Sequence, residues 1–310
     1  MSFDVIGRLR LPLVAAPMFL VTGEEMVIAA ARAGIVGAFP TPNCRSAEEL
    51  DQWMTRIVAE TAGAPGLWAA NLVTHSSNSR LADDLALVAK HRPPLVITAL
   101  GSPAPAIQTV HDYGGLVLAD VITVKLGRKA AAAGADGLVC VSAGAGGHTG
   151  FLSPFAFVSA LRSEFAGLIC VGGGIADGAG LAGAIAAGAD LVYMGTRFLA
   201  AEESVAAPDY KAMVIVSALE DLVVSSAVTG TPASWLAPSL IAAGYDTAAL
   251  DRPAVREYGG DPAKKWKDLW AAGQGIGRVR ANETVEAIVD TIAVEFGAAQ
   301  VRLARYSPGT

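Results

Sequence analysis

One histidine stands in a glycine-rich run that could carry chemistry. Residues 142–150 read SAGAGGHTG, so four glycines surround His148. Glycines lack a Cβ, which lets a flat ligand approach the backbone closely. An imidazole on such a loop could titrate near neutral pH and act as a general base. The other histidines lack this setting, and we expect them on the surface or at helix ends. His148 is therefore the candidate catalytic base.

Two further glycine clusters have the composition of a phosphate site. Gly173 and Gly174 follow one apolar run, and Gly195 and Thr196 follow the next. Glycines can present backbone N–H groups to an anion, and a threonine adds a hydroxyl. A helix starting near Asp177 would add its N-terminal dipole. The alternative is that these glycines only form tight strand-to-helix turns that need a positive φ.

Other residues at predicted strand ends could line the same pocket. Asn71 offers both a donor and an acceptor to the edge of a heterocycle. Met18 could present its backbone N–H to a cofactor ring or pack in the core, and Gln274 could enter the site or lie in a surface turn. The candidate cofactor-binding residues are Ala16, Pro17, Met18, Asn71, Ser142, Gly146, Gly147, Gly173, Gly174, Gly195, Thr196 and Gln274. The three cysteines have no metal-ligand spacing, so we expect no metal.

The elements that must position these residues are short apolar runs alternating with alanine-rich helical stretches. The eight predicted strands cover residues 13–16, 35–39, 67–71, 95–98, 116–119, 137–141, 168–171 and 190–194. Their starts are about 25 residues apart, which suits a βα unit. Eight near-equal units predict an α/β fold, a (β/α)8 TIM barrel, rather than the alternative of an open doubly wound sheet. The candidate residues then share the carboxyl ends of the strands, where barrel active sites lie.

A short internal repeat marks the opposite ends of the strands. The sequence AAGAD at 132–136 recurs at 186–190. Each copy predicts a helix that ends at a glycine, with the next strand beginning at once. Shared chemistry of helix-to-strand loops and descent from a repeated unit would both explain the match.

The regular spacing ends after residue 200. We expect residues 201–280 to form a small, mainly helical inserted domain after strand 8, which acts as a lid or substrate domain. Residues 1–200 and 281–310 would form the barrel, and apolar residues at helical spacing over 283–296 predict its last helix. The aromatic residues of the insert could line a substrate pocket or form a small core; they are Trp235, Tyr245, Trp266 and Trp270.

Composition excludes several classes of protein. Lys and Arg total 23 and Asp and Glu total 29, so the net charge is −6. This charge argues against a nucleic-acid or anionic-membrane surface. Mean hydropathy is high at +0.44, yet no clean apolar run of about 20 residues predicts a membrane span. We find no signal peptide, and the cysteine usage favours a reduced, cytoplasmic protein. The apolar excess must lie in a buried sheet. Part of it could also form the interface of a homodimer.

In combination, these motifs resemble a known family. LPLVAAPM, Asn71, AGADGLVCVSAGAGGHTG, VGGGIADG, GADLVYMGTRF and AGQG occur in the order found in nitronate monooxygenases, formerly called 2-nitropropane dioxygenases. The likeness covers nearly the whole chain and implies an FMN-binding TIM barrel with an added substrate domain. The flavin-dependent enoyl thioester reductases, which share the GGH loop, are similar too.

The resemblance implies a role for each matched residue. Pro17 and Met18 would lie by the flavin ring, Asn71 would bond its edge, and Gln274 would reach the cofactor or substrate. His148 matches the family's catalytic base. The FMN phosphate would be held by Gly173, Gly174, Gly195 and Thr196. Three positions depart from the family: Gly144 stands where a glutamate is common, Asp120 where a lysine occurs, and Val141 where an acidic residue ends strand 6.

The implied activity is FMN-dependent oxidation of alkyl nitronates by O₂, which releases nitrite and a carbonyl product. Nitroalkanes would react after His148 removes a proton. The expected partners are the small-molecule substrate and O₂. One alternative is an NAD(P)H-dependent FMN reductase or dehydrogenase of an enoyl or keto acyl thioester. A flavin-free phosphate-binding barrel fits less well, because its chemistry needs a loop cysteine and Cys140 and Cys170 fall inside predicted strands. A flavin-binding module without catalysis is the last alternative.

Overall fold

Eight parallel strands close into a barrel in the computed structural model, which describes residues 6–250 and 268–306. The barrel strands are β1 (Leu13–Ala15), β2 (Val36–Pro40), β3 (Leu67–Val73), β4 (Leu95–Ala99), β5 (Leu116–Val121), β6 (Gly137–Val141), β8 (Leu168–Gly172) and β9 (Leu191–Met194). The first and last strands pair directly, with Leu13 opposite Val192. The eight predicted strands and the TIM barrel are therefore confirmed, and the open sheet is excluded.

Helices cover the outside of the barrel. They are α1 (Glu24–Arg32), α2 (Ala47–Glu60), α3 (Leu81–His91), α4 (Ala104–His111), α5 (Val124–Ala132), α6 (Pro154–Arg162), α7 (Gly178–Ala186), α8 (Thr196–Leu199) and α11 (Val285–Ala304). The last of these begins near the predicted start, runs eight residues past the predicted end at 296, and packs against α7 and α1. It therefore closes the ring of helices, as expected.

The strands are apolar on both faces, because one face fills the barrel and the other meets the helices. Residues such as Val36, Leu95 and Leu118 alternate inward into one cluster. Their neighbours, such as Phe39 and Val96, pack outward against α2, α3 and α4. This two-sided burial explains why the strands read as continuous apolar runs and why the mean hydropathy is high.

The inserted segment holds two strands that the sequence did not predict. β10 (Leu222–Ser225) and β11 (Ala233–Leu236) pair antiparallel, and β11 also pairs with β7 (Gly147–His148) from the barrel. In the part of this segment that the structure describes, the helices are α9 (Pro208–Val216) and α10 (Ala237–Ala242), with 3₁₀ turns at Leu219–Asp221, Thr247–Ala249 and Gln274–Arg278. The strands are four residues each, too short to give a clear alternating pattern. The division of the chain at 200 and 281 stays a prediction.

The aromatic residues of the insert pack mainly against its own core. Trp235 is fully buried beside Leu240 and Leu269, and Tyr245 packs against the same cluster. Trp270 stacks on Tyr210 with ring centroids 5.1 Å apart. Trp266 lies outside the described residues. The structure therefore favours the small core over a substrate pocket for Trp235. Over the described ranges, no helix is long and apolar enough to cross a membrane.

The repeated AAGAD motif has the same structural role in both copies. The carboxylate of Asp136 accepts a hydrogen bond from the Val117 amide (2.8 Å), and that of Asp190 accepts one from the Ile169 amide (2.7 Å). Each aspartate also donates its own amide to the preceding strand, and the glycine two residues earlier has a positive φ. Both copies thus extend the hydrogen bonding between parallel strands at the amino-terminal rim of the barrel. This shared role in the helix-to-strand loop is enough to explain the repeat.

Replacing Asp190 should destabilise the barrel. Asp190→Ala removes the acceptor for the Ile169 amide and for the Arg162 guanidinium. We expect the free energy of unfolding to fall by about 1–3 kcal/mol, as for other hydrogen bonds to a charged group. Urea denaturation measures this change. Asp83→Ala, at an exposed position of α3, is the control, and an equal effect of the two substitutions would contradict the ladder role.

Candidate active site

The loop that carries His148 is hydrogen-bonded into the sheet of the insert. His148 lies opposite Ala233, and Gly147 lies opposite Ser234, in the β7–β11 pairing. Thr149 extends this contact, because its amide donates to the Pro232 carbonyl (3.1 Å) and its hydroxyl donates to the Ser142 carbonyl (3.1 Å). The insert therefore fixes the backbone that presents the candidate base.

The electrostatic setting of His148 favours the neutral imidazole. The side chain is exposed at the barrel mouth, yet the surrounding protein partly removes it from water. Desolvation disfavours the charged form, so the pKa of His148 is lowered from its ordinary value of 6.5. A histidine with a lowered pKa is mostly unprotonated at neutral pH, which is the form that a general base needs.

A single carbonyl joins three of the loops at the carboxyl ends of the strands. The Gly144 carbonyl accepts one hydrogen bond from the Gly174 amide (3.1 Å) and another from the Gln274 amide (2.9 Å). The neighbouring Gly273 amide donates to the Thr196 hydroxyl (2.9 Å). Gln274 thus lies beside the loops that follow β6, β8 and β9, and its role toward a cofactor or substrate stays a prediction.

Backbone geometry explains the glycines of this junction. Gly144 has φ +87°, and a Cβ there would lie 2.7 Å from the Gln274 side-chain oxygen. A Cβ on Gly146 would lie 2.6 Å from the Gly273 nitrogen. These two glycines therefore permit close approach of the insert, and the absence of a glutamate at position 144 has a local steric cause.

Gly195 differs, because no backbone constraint requires it. Its φ is −98°, which any residue adopts. A Cβ there would lie 3.4 Å from the Met18 sulfur and 3.7 Å from the Ala16 Cβ, both ordinary contacts. The glycine therefore keeps space open beside Ala16 and Met18, which is the expected property of a position that borders a ligand. By contrast, Gly173 and Gly174 have φ values of +137° and +70°. The need for a positive φ in a tight strand-to-helix turn is enough to explain these two glycines.

Asn43 is a positioning residue that the sequence analysis missed. It follows β2 in the 3₁₀ turn Thr41–Asn43. Its amide nitrogen donates to the carbonyls of Met18 (3.1 Å) and Thr22 (2.8 Å), and its oxygen accepts from the Leu20 amide (2.9 Å). These bonds hold the loop after β1, in which Leu20 has φ +59°. Its place directly after a predicted strand was the available signal.

Three predicted donors are already engaged within the protein. The Met18 amide donates to the Thr22 hydroxyl (3.0 Å), so the packing alternative describes Met18. Ser142 is fully buried, with its amide bonded to the Gly172 carbonyl and its hydroxyl to the Cys140 carbonyl. The Gly174 amide is bonded to Gly144. Ser142 therefore stabilises the loop and does not face a ligand. The expectation that the amides of Met18 and Gly174 are free to bind a ligand is wrong, because both donate to groups of the protein.

The prediction that the N-terminus of α7 contributes to a phosphate site is also wrong. The helix begins after Asp177, as expected, but the Asp177 carboxylate caps the Gly180 amide (2.7 Å). Glu295 from the last helix accepts from the Gly178 amide (2.9 Å), and Arg278 pairs with both acids. Two carboxylates already occupy this positive helix end, so a phosphate would meet like charge there.

Three polar side chains face the interior at the upper end of the barrel: Asn71 on β3, Asp120 on β5 and Tyr193 on β9. Asn71 is 7% exposed and donates to the Ile97 carbonyl at a long 3.3 Å, which leaves the amide free to adjust to a ligand. Burial raises the pKa of Asp120 to about 7 and that of Tyr193 well above its ordinary value. Burial therefore favours the neutral form of both groups, and Asp120 titrates near neutral pH.

The cysteines do not provide a nucleophile. Cys140 and Cys170 are fully buried within β6 and β8. Burial raises the pKa of Cys140 to about 12 and that of Cys170 well above 9. A thiol in this state is unreactive, which counts against the flavin-free barrel that uses a loop cysteine. Among the residues described, no group of three or more His, Cys, Asp or Glu could hold a metal ion.

A closed parallel barrel whose carboxyl-end loops carry glycine turns and a histidine has the architecture of a TIM-barrel enzyme. The family model for nitronate monooxygenase matches residues 66–295. The chain therefore belongs to the nitronate monooxygenase family.

Individual relatives agree with this assignment. The chain is 32% identical to a nitronate monooxygenase of Paraburkholderia phytofirmans over 58% of this chain and 52% of that protein. It is 29% identical to a 5-hydroxy-7a-methyl-1-oxo-octahydro-1H-indene-4-carboxyl-CoA dehydrogenase of Mycobacterium tuberculosis, over 77% of this chain and 66% of that protein. It thus spans between about half and two thirds of these curated relatives. The structure of FabK from Thermotoga maritima matches with a TM-score of 0.81 and 25% identity, over 99% of this chain and 98% of that chain.

The residues present fit a flavin. The open space at Gly195 borders Ala16 and Met18. One carboxyl oxygen of Asp120 and the hydroxyl of Tyr193 are buried without a hydrogen-bond partner. A ring system with polar edges would suit the space at Gly195 and these unused polar groups.

Gly144→Ala should loosen the junction between the insert and the barrel. Alanine at φ +87° is strained by about 1–2 kcal/mol and would also crowd Gln274. We expect lower stability and faster hydrogen exchange of the Gly174 and Gln274 amides, measured by NMR. The control is Gly297→Ala in α11, where a Cβ meets nothing within 4 Å; it should stabilise by about 0.5–1 kcal/mol. Unchanged protection of both amides would contradict the role of the Gly144 carbonyl.

Proposed function

We propose that this protein binds FMN at the barrel mouth and oxidises alkyl nitronates with O₂, releasing nitrite and a carbonyl product. The observation that carries the proposal is the hydrogen-bonded junction of the His148 loop, the glycine turn after β8, Thr196 and Gln274 at the carboxyl ends of the barrel strands. Desolvation favours the neutral imidazole of His148 in this loop. Family membership supports the flavin and the oxidative chemistry. Bound FMN would supply an electron acceptor that O₂ can reoxidise.

The candidate residues keep a role in this proposal, apart from Ser142 and Gly174, whose groups are already bonded within the protein. Ala16, Pro17 and Met18 would form the wall beside the ring, and Asn71 would contact its polar edge. Gly173, Gly195 and Thr196 would surround the phosphate, and the adjacent Arg197 is already paired with Glu283 at 2.8 Å. Gly146 and Gly147 allow the His148 loop to pass close to the ligand, and Gln274 would close the pocket from the insert.

His148 would act on the substrate carbon. A nitronate is already a carbanion equivalent and needs no base. A neutral nitroalkane must first lose its α-proton, and the unprotonated imidazole of His148 could take it. The insert would orient the substrate, because β11 fixes the backbone of His148 and the Gln274 amide donates to the Gly144 carbonyl of the same loop.

A second candidate is a dehydrogenase or reductase of an acyl thioester that uses NAD(P)H with FMN. The relative from Mycobacterium tuberculosis, a carboxyl-CoA dehydrogenase, supports it and matches a larger share of this chain than the nitronate monooxygenase of Paraburkholderia phytofirmans does. Anaerobic mixing separates the two candidates. Bleaching of the flavin spectrum by a nitronate supports the first, and rapid bleaching by NADPH or NADH supports the second.

His148→Ala should affect nitroalkanes far more than preformed nitronates. Loss of a general base costs about 100-fold or more in turnover of the neutral substrate, whereas the nitronate needs no proton removal. Initial rates of nitrite release measure both reactions, with His75→Ala as the control at an exposed histidine. Equal losses on the two substrates would count against the base.

The pH profile of nitroalkane turnover tests the same role. The wild-type kcat/KM should fall as the pH drops through an apparent pKa below 6.5, because protonation removes the base. The same profile in Asp120→Asn identifies any contribution from the second group that titrates near neutral pH.

Gly195→Ala should weaken FMN binding without harming the fold. The methyl group meets only ordinary contacts but fills the space beside Met18. We expect the Kd for FMN to rise about tenfold or more, a cost of about 1.4 kcal/mol, with an unchanged Tm. Fluorescence quenching of FMN measures the Kd, and Gly297→Ala again serves as the control. Unchanged affinity would place the cofactor elsewhere.

A further inference from the structure

Two buried polar atoms in the barrel interior have no hydrogen-bond partner. They are Oδ1 of Asp120 and the hydroxyl oxygen of Tyr193. An unsatisfied buried polar group costs about 1–3 kcal/mol, and native proteins rarely keep one without a use. Two such atoms in the same part of the barrel therefore indicate a ligand that supplies the missing partners.

The strand register places both residues at the upper end of the barrel. Asp120 is on β5 beside Val139 of β6, two positions beyond the inward-facing Leu118. Tyr193 is on β9 opposite Gly172, and its side chain packs where a Cβ of Gly172 would lie. Gly172 directly precedes the glycine pair of the candidate cofactor pocket. The two residues therefore lie near the carboxyl ends of their strands, beside the glycine turn after β8, rather than at the amino-terminal rim.

The two side chains also interact with each other. The negative charge of Asp120 is among the causes that raise the pKa of Tyr193, after burial itself. The strands next to β5 present apolar side chains at this level, namely Ile97, Ala99, Val139 and Val141. Tyr193 and Cys170 are therefore the titratable groups that face Asp120 across the barrel, and both have pKa values raised far above neutrality.

We propose that Asp120 and Tyr193 form the polar floor of the flavin pocket, and that Asp120 in its protonated form donates a hydrogen bond to the bound flavin. This inference rests on the proposed binding of FMN. A neutral carboxyl group carries a donor, whereas a carboxylate only accepts. A flavin ring edge offers carbonyl and ring-nitrogen acceptors, so the neutral acid is the form that complements it.

The proposal predicts that flavin binding depends on pH. Burial raises the pKa of Asp120 to about 7 in the protein without flavin. If the flavin requires the protonated acid, the affinity should fall about tenfold between pH 6 and pH 8, following the protonated fraction. Riboflavin is the better probe, because it lacks the phosphate of FMN, which itself titrates in this range.

The experiment compares riboflavin dissociation constants at pH 6 and pH 8 in the wild type, Asp120→Asn and Tyr193→Phe. Asparagine keeps a donor without titrating, so Asp120→Asn should bind with little pH dependence. Tyr193→Phe should weaken binding at both pH values and keep the tenfold ratio. His148→Gln should also keep the ratio, which excludes that histidine as its source. Equal pH dependence in the wild type and Asp120→Asn would overturn the proposal.

Proton uptake provides a measurement that needs no variant. Riboflavin binding to the wild type at pH 8 in weak buffer should take up most of one proton, and binding at pH 5.5 should take up almost none. A pH indicator dye records the change, and absence of uptake at pH 8 would overturn the role of Asp120. If the wild type binds neither FMN nor riboflavin, the proposed function itself fails. Binding without uptake leaves that function standing and removes this inference alone.

Discussion

The candidate site depends on the two hydrogen bonds that the Gly144 carbonyl accepts. Its two lone pairs receive the amides of Gly174 and Gln274, so one oxygen fixes the loop after β6 relative to the loop after β8 and to the segment returning from the insert. The backbones approach so closely at Gly144 and Gly146 that a Cβ at either position would clash with the insert. Only glycine therefore fits at these two positions. The glycine-rich composition of the loop follows from this constraint as much as from ligand access.

A second connection makes the insert and the histidine loop one mechanical unit. β11 pairs with β7 on one side, and the Ser234 hydroxyl donates to the Ala272 carbonyl (2.7 Å) on the other. Ala272 directly precedes the Gly273–Gln274 contacts with Thr196 and Gly144. The backbone of His148 is thus tied to the pocket by two routes, one through its own loop and one through the insert. A movement of the insert would necessarily move the candidate base.

The sequence predicted the barrel well because its signals are local. Apolar runs, glycines after helices and the AAGAD repeat each depend on a few adjacent residues, and the strands agree to within one or two positions. The site was only partly predictable. Sequence alone does not distinguish Gly195, which leaves space, from Gly144, which avoids a clash, since the difference lies in φ. The capping of α7 by Glu295 joins positions 117 residues apart, and no local pattern indicates it.

The ionisable groups near the pocket share one electrostatic tendency. Desolvation lowers the pKa of His148 and raises those of Asp120, Tyr193 and Cys170, so in every case it favours the uncharged form. The nearby arginines are neutralised too, Arg197 by Glu283 and Arg278 by Asp177 and Glu295. The protein therefore surrounds the pocket with dipoles and paired charges rather than with free ions. Because Coulomb interactions are strong where water is excluded, the charges that decide the chemistry in such a pocket would be those of the cofactor and of an anionic substrate.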